Sequence, residues 1–175
     1  ELKDEDPFDY ACVERKIPAS SYLKASFDVQ AAQTRNGSLQ IEFLDEKGIA
    51  CTRIELNKEG MIRVKNGARY GNVMPYQADQ TYRFEATLDT QHRQLNLTVS
   101  TLGADGKALQ SKSTKRIFYA PVHQIERIRF RTGHLRTFPT IDTPADWFGT
   151  LEHAGDTDTT ALYRIAHVKT VSLDA

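Results

Sequence analysis

The sequence predicts an all-β fold, an antiparallel sandwich of two sheets. Apolar and polar residues alternate in many short segments; over residues 22–29 the side chains of Leu23, Ala25, Phe27 and Val29 fall on one face. Turn signals such as Asn66-Gly67 separate these segments at intervals of roughly 8–12 residues, a spacing typical of sandwiches. Helical periodicity is confined to a weak signal near residues 121–124.

The length and the ends of the chain predict one domain. A chain of 175 residues can bury a substantial core, and we assign residues 8–175 to a single sandwich domain. Residues 1–7 are acidic and lack apolar periodicity, so they are predicted to be a tail or linker. Because the chain starts with Glu1 rather than Met, we expect it to be a piece of a longer protein.

The predicted strands follow one another with short turns. Residues 8–16 are expected to form an edge strand that Pro18 ends. Residues 68–80 are predicted to be a longer connection, and residues 108–118 a polar outer strand. The other predicted strands are 22–29, 39–43, 49–56, 61–65, 82–88, 95–99, 125–133 and 161–173.

The charge balance excludes several classes of function. The chain has 23 basic and 23 acidic side chains, which leaves a formal net charge of zero. A general nucleic-acid binder or a polybasic membrane-surface protein would carry an excess of basic charge. No apolar run approaches the roughly 18 residues of a transmembrane helix.

The two cysteines, Cys12 and Cys51, are too few for a disulfide scaffold or a thiolate zinc site. One interpretation is a pair of small, partly buried thiols in strands. The other is a single disulfide between the first and fourth strands, which would indicate an oxidising compartment.

Four stretches together resemble the concanavalin A-like, or laminin-G-like, jelly roll. They are the hairpin series 39–64, the strand–turn–strand pattern 78–100, the strand IERIRFRTG at 125–133 and the closing strand LYRIAHVKTVSL at 162–173. The resemblance covers nearly the whole chain and implies that the last strand lies beside the first.

This resemblance implies a carbohydrate ligand and a secreted, periplasmic or cell-surface bacterial protein. Glucanases of the fold carry a Glu-x-Asp-x-x-Glu strand, which this sequence lacks. Lyases of the fold carry Arg-x-Glu, which Arg53-Ile54-Glu55 matches, but their Gln-x-His and Tyr-Lys strands are absent. The resemblance therefore favours binding over catalysis.

The segment 134–160 is the longest irregular stretch and holds Trp147, the one tryptophan. An aromatic ring that stacks on a sugar, with carboxylates and arginines bonding its hydroxyls, is a common carbohydrate site. The alternative is a small satellite core under a solvated loop. The predicted ligand-binding residues are Trp147, Asp146, Asp142, Arg136, His134 and Arg131.

Arginines alternate along the strand 125–133, at Arg127, Arg129 and Arg131. Together with other basic residues they would form a basic face suited to an acidic glycan such as a uronate polymer. The alternative is a solvated face whose arginines pair across strands with acidic residues. The basic residues that would join them are Arg53, Arg63, Lys65, Arg69 and Arg83, and the acidic partners would be Glu42, Glu55 and Glu85.

No cofactor is required by the sequence. Asp156 and Asp158 are a candidate site for a structural calcium ion, which takes several oxygen ligands, although a solvated loop explains them equally well. His134 and His153 would be the candidate acid–base groups of an enzyme.

These patterns lead to one main functional hypothesis and two alternatives. The main hypothesis is a non-catalytic carbohydrate-binding or accessory domain of a secreted polysaccharide-utilisation protein. The alternatives are a polysaccharide hydrolase or lyase of the same fold, and a structural domain that packs on a partner domain of a larger chain.

Overall fold

A computed structural model describes residues 1–5, 10–133 and 160–174 as twelve β-strands without a helix. The strands are β1 (Leu2–Asp4), β2 (Cys12–Ser20), β3 (Tyr22–Ala31), β4 (Leu39–Leu44), β5 (Ala50–Leu56), β6 (Met61–Asn66), β7 (Arg69–Pro75), β8 (Thr81–Asp89), β9 (Gln94–Leu102), β10 (Ala108–Ile117), β11 (Ile125–Thr132) and β12 (Ala161–Ser172). Among these residues no helix is long and apolar enough to cross a membrane.

The strands form two antiparallel sheets of six strands each, which confirms the predicted sandwich. Sheet A has the order β1-β12-β3-β8-β9-β10, and sheet B has the order β2-β11-β4-β5-β6-β7. Every recorded strand pair is antiparallel, and β12 lies between β1 and β3. The closing strand therefore lies beside β1 and β3, whereas the first predicted strand, 8–16, corresponds to β2 of sheet B and does not pair with it.

The core lies between the sheets and consists of the alternating apolar residues. Phe27 of β3 stacks on Phe84 of β8 within sheet A, with 5.3 Å between ring centroids. Phe27 also meets Phe130 of β11 edge-on at 5.3 Å, and this contact joins the two sheets. The same alternation turns Gln40, Glu42 and Arg53 away from the core to the outer face of sheet B.

The acidic N-terminus contains a strand that the composition did not predict. Leu2 and Asp4 are buried, and β1 pairs with β12. The prediction of a tail over residues 1–7 is therefore wrong at residues 2–4, because one buried leucine and sheet pairing hold so short a strand. The assignment of residues 8–175 to one domain stays a prediction.

Pro18 does not end the first predicted strand, since β2 continues to Ser20. The described strands pair β2 with β11 alone, so β2 lies at a sheet edge, and the pairing register shifts between Ser20 and Lys16. A proline at an edge or bulge removes no ladder hydrogen bond. The part of this strand predicted at residues 8–9 lies outside the described residues.

One other local prediction was wrong, and the weak helical signal has no counterpart in the structure. Residues 69–75, predicted to be part of a connection, form β7, which pairs with β6 after the Asn66-Gly67 turn. Residues 121–124 form no helix.

The two cysteines are free thiols, with Cys51 buried and Cys12 exposed, so the disulfide alternative is wrong for this structure. Burial raises the pKa of the Cys51 thiol, which is inert there.

Candidate functional site

The outer face of sheet B carries a buried group of charged side chains, called here the cationic face. Adjacent strands β11, β4, β5 and β6 supply it, and the antiparallel register brings their outward residues into rows. Its members are Gln40, Glu42, Arg53, Glu55, Arg63, Lys65, Arg129 and Arg131.

Glu42 lies at the centre of the cationic face, between two arginines. Its Oε2 atom accepts a hydrogen bond from Arg53 Nη2 at 2.8 Å, and its Oε1 atom accepts one from Arg129 Nη2 at 2.9 Å. The Glu42 and Arg53 side chains are fully buried. Burial alone would raise the pKa of Glu42, but the two guanidinium groups outweigh it and hold that pKa below its ordinary value.

Glu55 forms a second group of hydrogen bonds beside the group around Glu42. Arg63 Nε donates a hydrogen bond to Glu55 Oε1 at 2.9 Å, and Gln40 Nε2 donates one to Glu55 Oε2 at 2.6 Å. The Gln40 Oε1 atom is buried, and no described residue donates a hydrogen bond to it. One hydrogen-bond acceptor of this face is therefore unused by the described residues.

Tyrosine rings lie over the cations of this face. Lys65 Nζ lies 4.4 Å from the centroid of Tyr119, and the Arg63 guanidinium lies 4.5 Å from that of Tyr70. At the opposite end the Arg131 guanidinium lies 3.9 Å from the ring centroid of Tyr10. Such contacts stabilise cations and leave amphipathic tyrosine rings next to charged groups.

Arg131 is buried to 1% exposure at the end of the cationic face nearest Tyr10. Burial lowers the pKa of Arg131, and the positive charges of Arg129 and Arg53 lower it further. An arginine stays protonated in spite of such a shift. Its charge therefore favours an anion brought close to it.

The described part of the face carries more cationic side chains than carboxylates. The cations are Arg53, Arg63, Lys65, Arg129 and Arg131, and the carboxylates are Glu42 and Glu55. Cross-strand pairing with Glu42 and Glu55 occurs as one alternative predicted, but it is buried at Glu42 and partly buried at the Arg63–Glu55 pair, rather than solvated. Such a face can hold a carboxylate or sulfate through arginine hydrogen bonds.

The structure places the other predicted arginines elsewhere. Arg127 donates to Glu14 Oε1 at 3.1 Å at the β2 edge, and Arg69 is exposed. Arg83 lies on sheet A, where its Nε atom donates to Asp28 Oδ1 at 2.9 Å. Of the predicted ligand-binding residues, Arg131 is the one that the structure describes, and it lies in the cationic face.

The remaining predicted site residues lie outside the described residues. They are Trp147, Asp146, Asp142, Arg136 and His134, together with the calcium candidates Asp156 and Asp158, and they stay predictions. Within the described ranges, no group of three or more His, Cys, Asp or Glu side chains is placed to hold a metal ion.

Sequence reasoning missed the three tyrosines. Tyr10 precedes β2, Tyr119 follows β10, and Tyr70 falls in a segment predicted to be a connection. Tyr10 and Tyr119 reach the face through contacts that are distant in sequence, such as the 3.0 Å hydrogen bond from Tyr119 N to Cys51 O, so no local periodicity marks them. Tyr70 reaches it through the β6–β7 hairpin, in which it pairs with Lys65.

A two-sheet sandwich hosts many functions, so the fold alone does not give the family of this chain. A family model described as "Sialidase-like, CBM domain" matches residues 1–147, and the chain belongs to this family. This confirms the hypothesis of a carbohydrate-binding accessory domain. No curated protein sequence matches the chain.

Solved structures agree with this assignment. A structure titled "Sialidase" is 55% identical, with a TM-score of 0.77, over 99% of this chain and 15% of that one. The chain thus spans a small part of that relative. Arcelin-5, a lectin-like defense protein from Phaseolus vulgaris, has a TM-score of 0.51 at 9% identity over 91% of this chain and 78% of its own. Ancestral congerin has the same score and identity over 91% and 99%. The last two show the fold alone.

Proposed function

We propose that this chain is a non-catalytic module that binds an acidic sugar of the sialic acid class through the cationic face. The observation that carries the proposal is the cluster of buried arginines around Glu42, bordered by tyrosine rings. A sialic acid offers a carboxylate to arginine and hydroxyl and amide groups to the neighbouring polar atoms. The relative titled "Sialidase" supports this ligand class.

The chemistry of the buried carboxylate supports binding rather than hydrolysis. A general acid in a glycosidase needs a raised pKa so that it keeps its proton near neutral pH. Burial acts in that direction at Glu42, but Arg53 and Arg129 lower its pKa below the ordinary value. Glu42 is therefore suited to positioning the two arginines.

The role of the module follows from the small share of the sialidase relative that it spans. In a longer glycan-degrading chain it would hold the catalytic part near sialylated surfaces, which raises the local substrate concentration through linked binding. Sialylated glycans occur outside the cytoplasm. We therefore propose that the parent protein is a bacterial secreted, periplasmic or cell-surface protein.

Calorimetric titration with sialyllactose and with lactose tests this function. We expect sialyllactose to bind and lactose to bind at least about tenfold more weakly, because lactose lacks the carboxylate. Arg131→Gln is expected to abolish binding, and Arg63→Gln to weaken it about tenfold. Arg63 is partly exposed, so its replacement keeps the test valid if Arg131→Gln fails to fold.

The matched control is Arg164→Gln, which removes an exposed arginine that pairs with Glu1 on sheet A. It should bind sialyllactose like the wild-type chain. Equal affinity for sialyllactose and lactose, or full binding by Arg63→Gln and Arg131→Gln together, would exclude the cationic face as the site.

A further inference from the structure

The outer face of sheet A carries a polar groove on the opposite side of the sandwich from the cationic face. The strand register places Lys24, Thr87, Asn96 and Lys115 in one row across β3, β8, β9 and β10. The next row, two residues along each strand, runs from Lys169 through Ser26, Glu85 and Thr98 to Ser113. The groove lies over these two rows.

The groove has two adjoining parts that share Glu85. One part has a volume of about 610 Å³ over β8, β9 and β10, and the other has about 370 Å³ over β3 and β12. Lys24 and Lys115 lie three strands apart, which corresponds to about 14 Å at the usual strand spacing. A ligand that contacts both must be longer than a single sugar ring.

The floor of the groove offers hydrogen bonds rather than apolar contact. Thr98 and Ser113 hydroxyls lie 2.8 Å apart, and Asn96 and Thr87 line the same part. Leu97 and Phe27 also border the groove, but their side chains are 1% exposed and belong to the core. A protein partner would meet apolar groups at the centre of its contact, so this floor fits a hydroxyl-rich ligand better.

The charges around the floor favour an anion. Lys24, Lys115 and Lys169 are exposed, and the described part of the chain shows no ion pair for any of them. Arg83 is already neutralised by Asp28, which also lies 2.9 Å from His167 Nδ1. Three lysines thus surround one free carboxylate, Glu85, which is suited to accepting hydrogen bonds from ligand hydroxyls.

We propose that this groove is a second glycan-binding site, which takes an anionic oligosaccharide. Lys24, Lys115 and Lys169 contact its sulfate or carboxylate groups, while Glu85 and the Thr98–Ser113 floor bond its hydroxyls. With sites on both outer faces, one module engages two chains of a glycan-rich surface, and the linked contacts raise the apparent affinity.

Three hexasaccharide probes test the groove at low ionic strength by calorimetry and amide NMR. They are a sulfated chondroitin oligosaccharide, an oligogalacturonate and a neutral gluco-oligosaccharide. We expect one or both anionic probes to bind and to shift the amide signals of Asn96, Thr98 and Ser113. The chondroitin probe carries uronate carboxylates as well as sulfates. Binding of this probe alone therefore identifies sulfate as the recognised group, and binding of both anionic probes shows that a carboxylate is sufficient.

The double variant Lys24→Ala/Lys115→Ala is expected to weaken binding of the anionic probe about tenfold. It should leave sialyllactose binding at the cationic face unchanged. The matched control is Lys47→Ala/Lys58→Ala, which removes two exposed turn lysines and should bind like the wild type. These readouts separate failure of this site from failure of the first.

The proposal would be overturned if the neutral probe bound as tightly as the anionic probes, or if both double variants bound the anionic probe equally well. Amide shifts confined to the cationic face would also overturn it. No binding of either anionic probe would also overturn it, and would favour a partner domain as the occupant of the groove.

Discussion

At the scale of single residues, the arrangement around Glu42 is the least replaceable part of the cationic face. A buried carboxylate between two guanidinium groups is desolvated together with them, and each charge is tolerable only because the others are present. The two arginines lie on β5 and β11, on either side of β4. Glu42 therefore also ties three neighbouring strands together on their outer face.

We expect Glu42→Gln to lower the free energy of unfolding by about 3–5 kcal/mol, because it leaves Arg53 and Arg129 without their buried counter-charge. Urea denaturation followed by circular dichroism measures this. Glu46→Gln, at an exposed turn position, is the control and should change stability by less than about 0.5 kcal/mol. A loss of under 1 kcal/mol in Glu42→Gln would show that the arginines are solvated.

The pH dependence of the same variant has a definite sign. Because the pKa of Glu42 is lowered in the folded chain, its stabilisation is fully present above the ordinary value of 4.5. It is lost as the pH falls through the lower folded-state pKa. The stability difference between the wild type and Glu42→Gln should therefore shrink on acidification below about pH 4.5 and stay constant above it.

The alternation of apolar and polar residues predicted which arginines lie on this face, but it did not predict that they are buried. Arg129 and Arg131 follow from period two in β11, since Ile128 and Phe130 must face the core. Tyr10 lies against Arg131 and Tyr119 lies against Arg53, and both tyrosines come from parts of the chain that are distant in sequence. A single sequence records spacing along a strand, whereas burial on an outer face depends on which other segments cover it.

At the scale of elements, the turn between β3 and β4 forms hydrogen bonds to two residues that are far apart in sequence, Gly133 and Thr160. Ser38 O accepts a hydrogen bond from Gly133 N at 3.1 Å, and Asn36 Nδ2 donates to Thr160 O at 2.8 Å. Between them Gly37 has a φ of +68°, and a Cβ atom there would lie 2.5 Å from Ala161 Cβ. Glycine is required at this position by both the backbone and the packing.

We expect Gly37→Ala to destabilise the chain more than Gly48→Ala does. Gly48 has a φ of +82° with nothing within 4 Å of its would-be Cβ atom, so its replacement adds backbone strain alone, about 1 kcal/mol. The contact with Ala161 should add about 1–3 kcal/mol more at Gly37. Thermal unfolding of both variants gives the difference, and equal losses would show that β12 moves aside at no cost.

Strands were predicted well where both paired segments alternate apolar and polar residues. They were predicted poorly where a segment forms a strand only because it pairs with a neighbour. The strands 82–88 and 95–99 have apolar residues at every second position, and β8 and β9 contain them. By contrast β1 has one leucine and β7 has Gly71 in its middle. Pairing with β12 and β6 supplies what their own sequences lack, and pairing is a tertiary effect.

At the scale of the whole molecule, three phenylalanines hold the sheets together. Phe27 stacks on Phe84 and meets Phe130 edge-on, so one ring joins both sheets at the middle of the core. The strands that carry these residues, β3, β8 and β11, are far apart in sequence. Assembly of the sandwich therefore depends on non-local contacts, which are slow to form.

Phe27→Ala is expected to lower the free energy of unfolding by about 3–5 kcal/mol, as the loss of a buried aromatic ring does. A double-mutant cycle with Phe130→Ala should give a coupling energy of about 0.5–1.5 kcal/mol for the edge-on pair. Denaturant titration of the four proteins provides the values. Strict additivity would indicate that the sheets repack around the cavity.

The turn at Asn36–Ser38 also bears on how related chains can diverge. Residues 133 and 160 are held by neighbouring residues of one turn, so any chain that joins them closes the same fixed gap. The entropy of loop closure rises only with the logarithm of length, by about 0.6 kcal/mol for each doubling. A stretch of different length between these anchors would therefore change the free energy of loop closure little, and both sheets would keep their pairing.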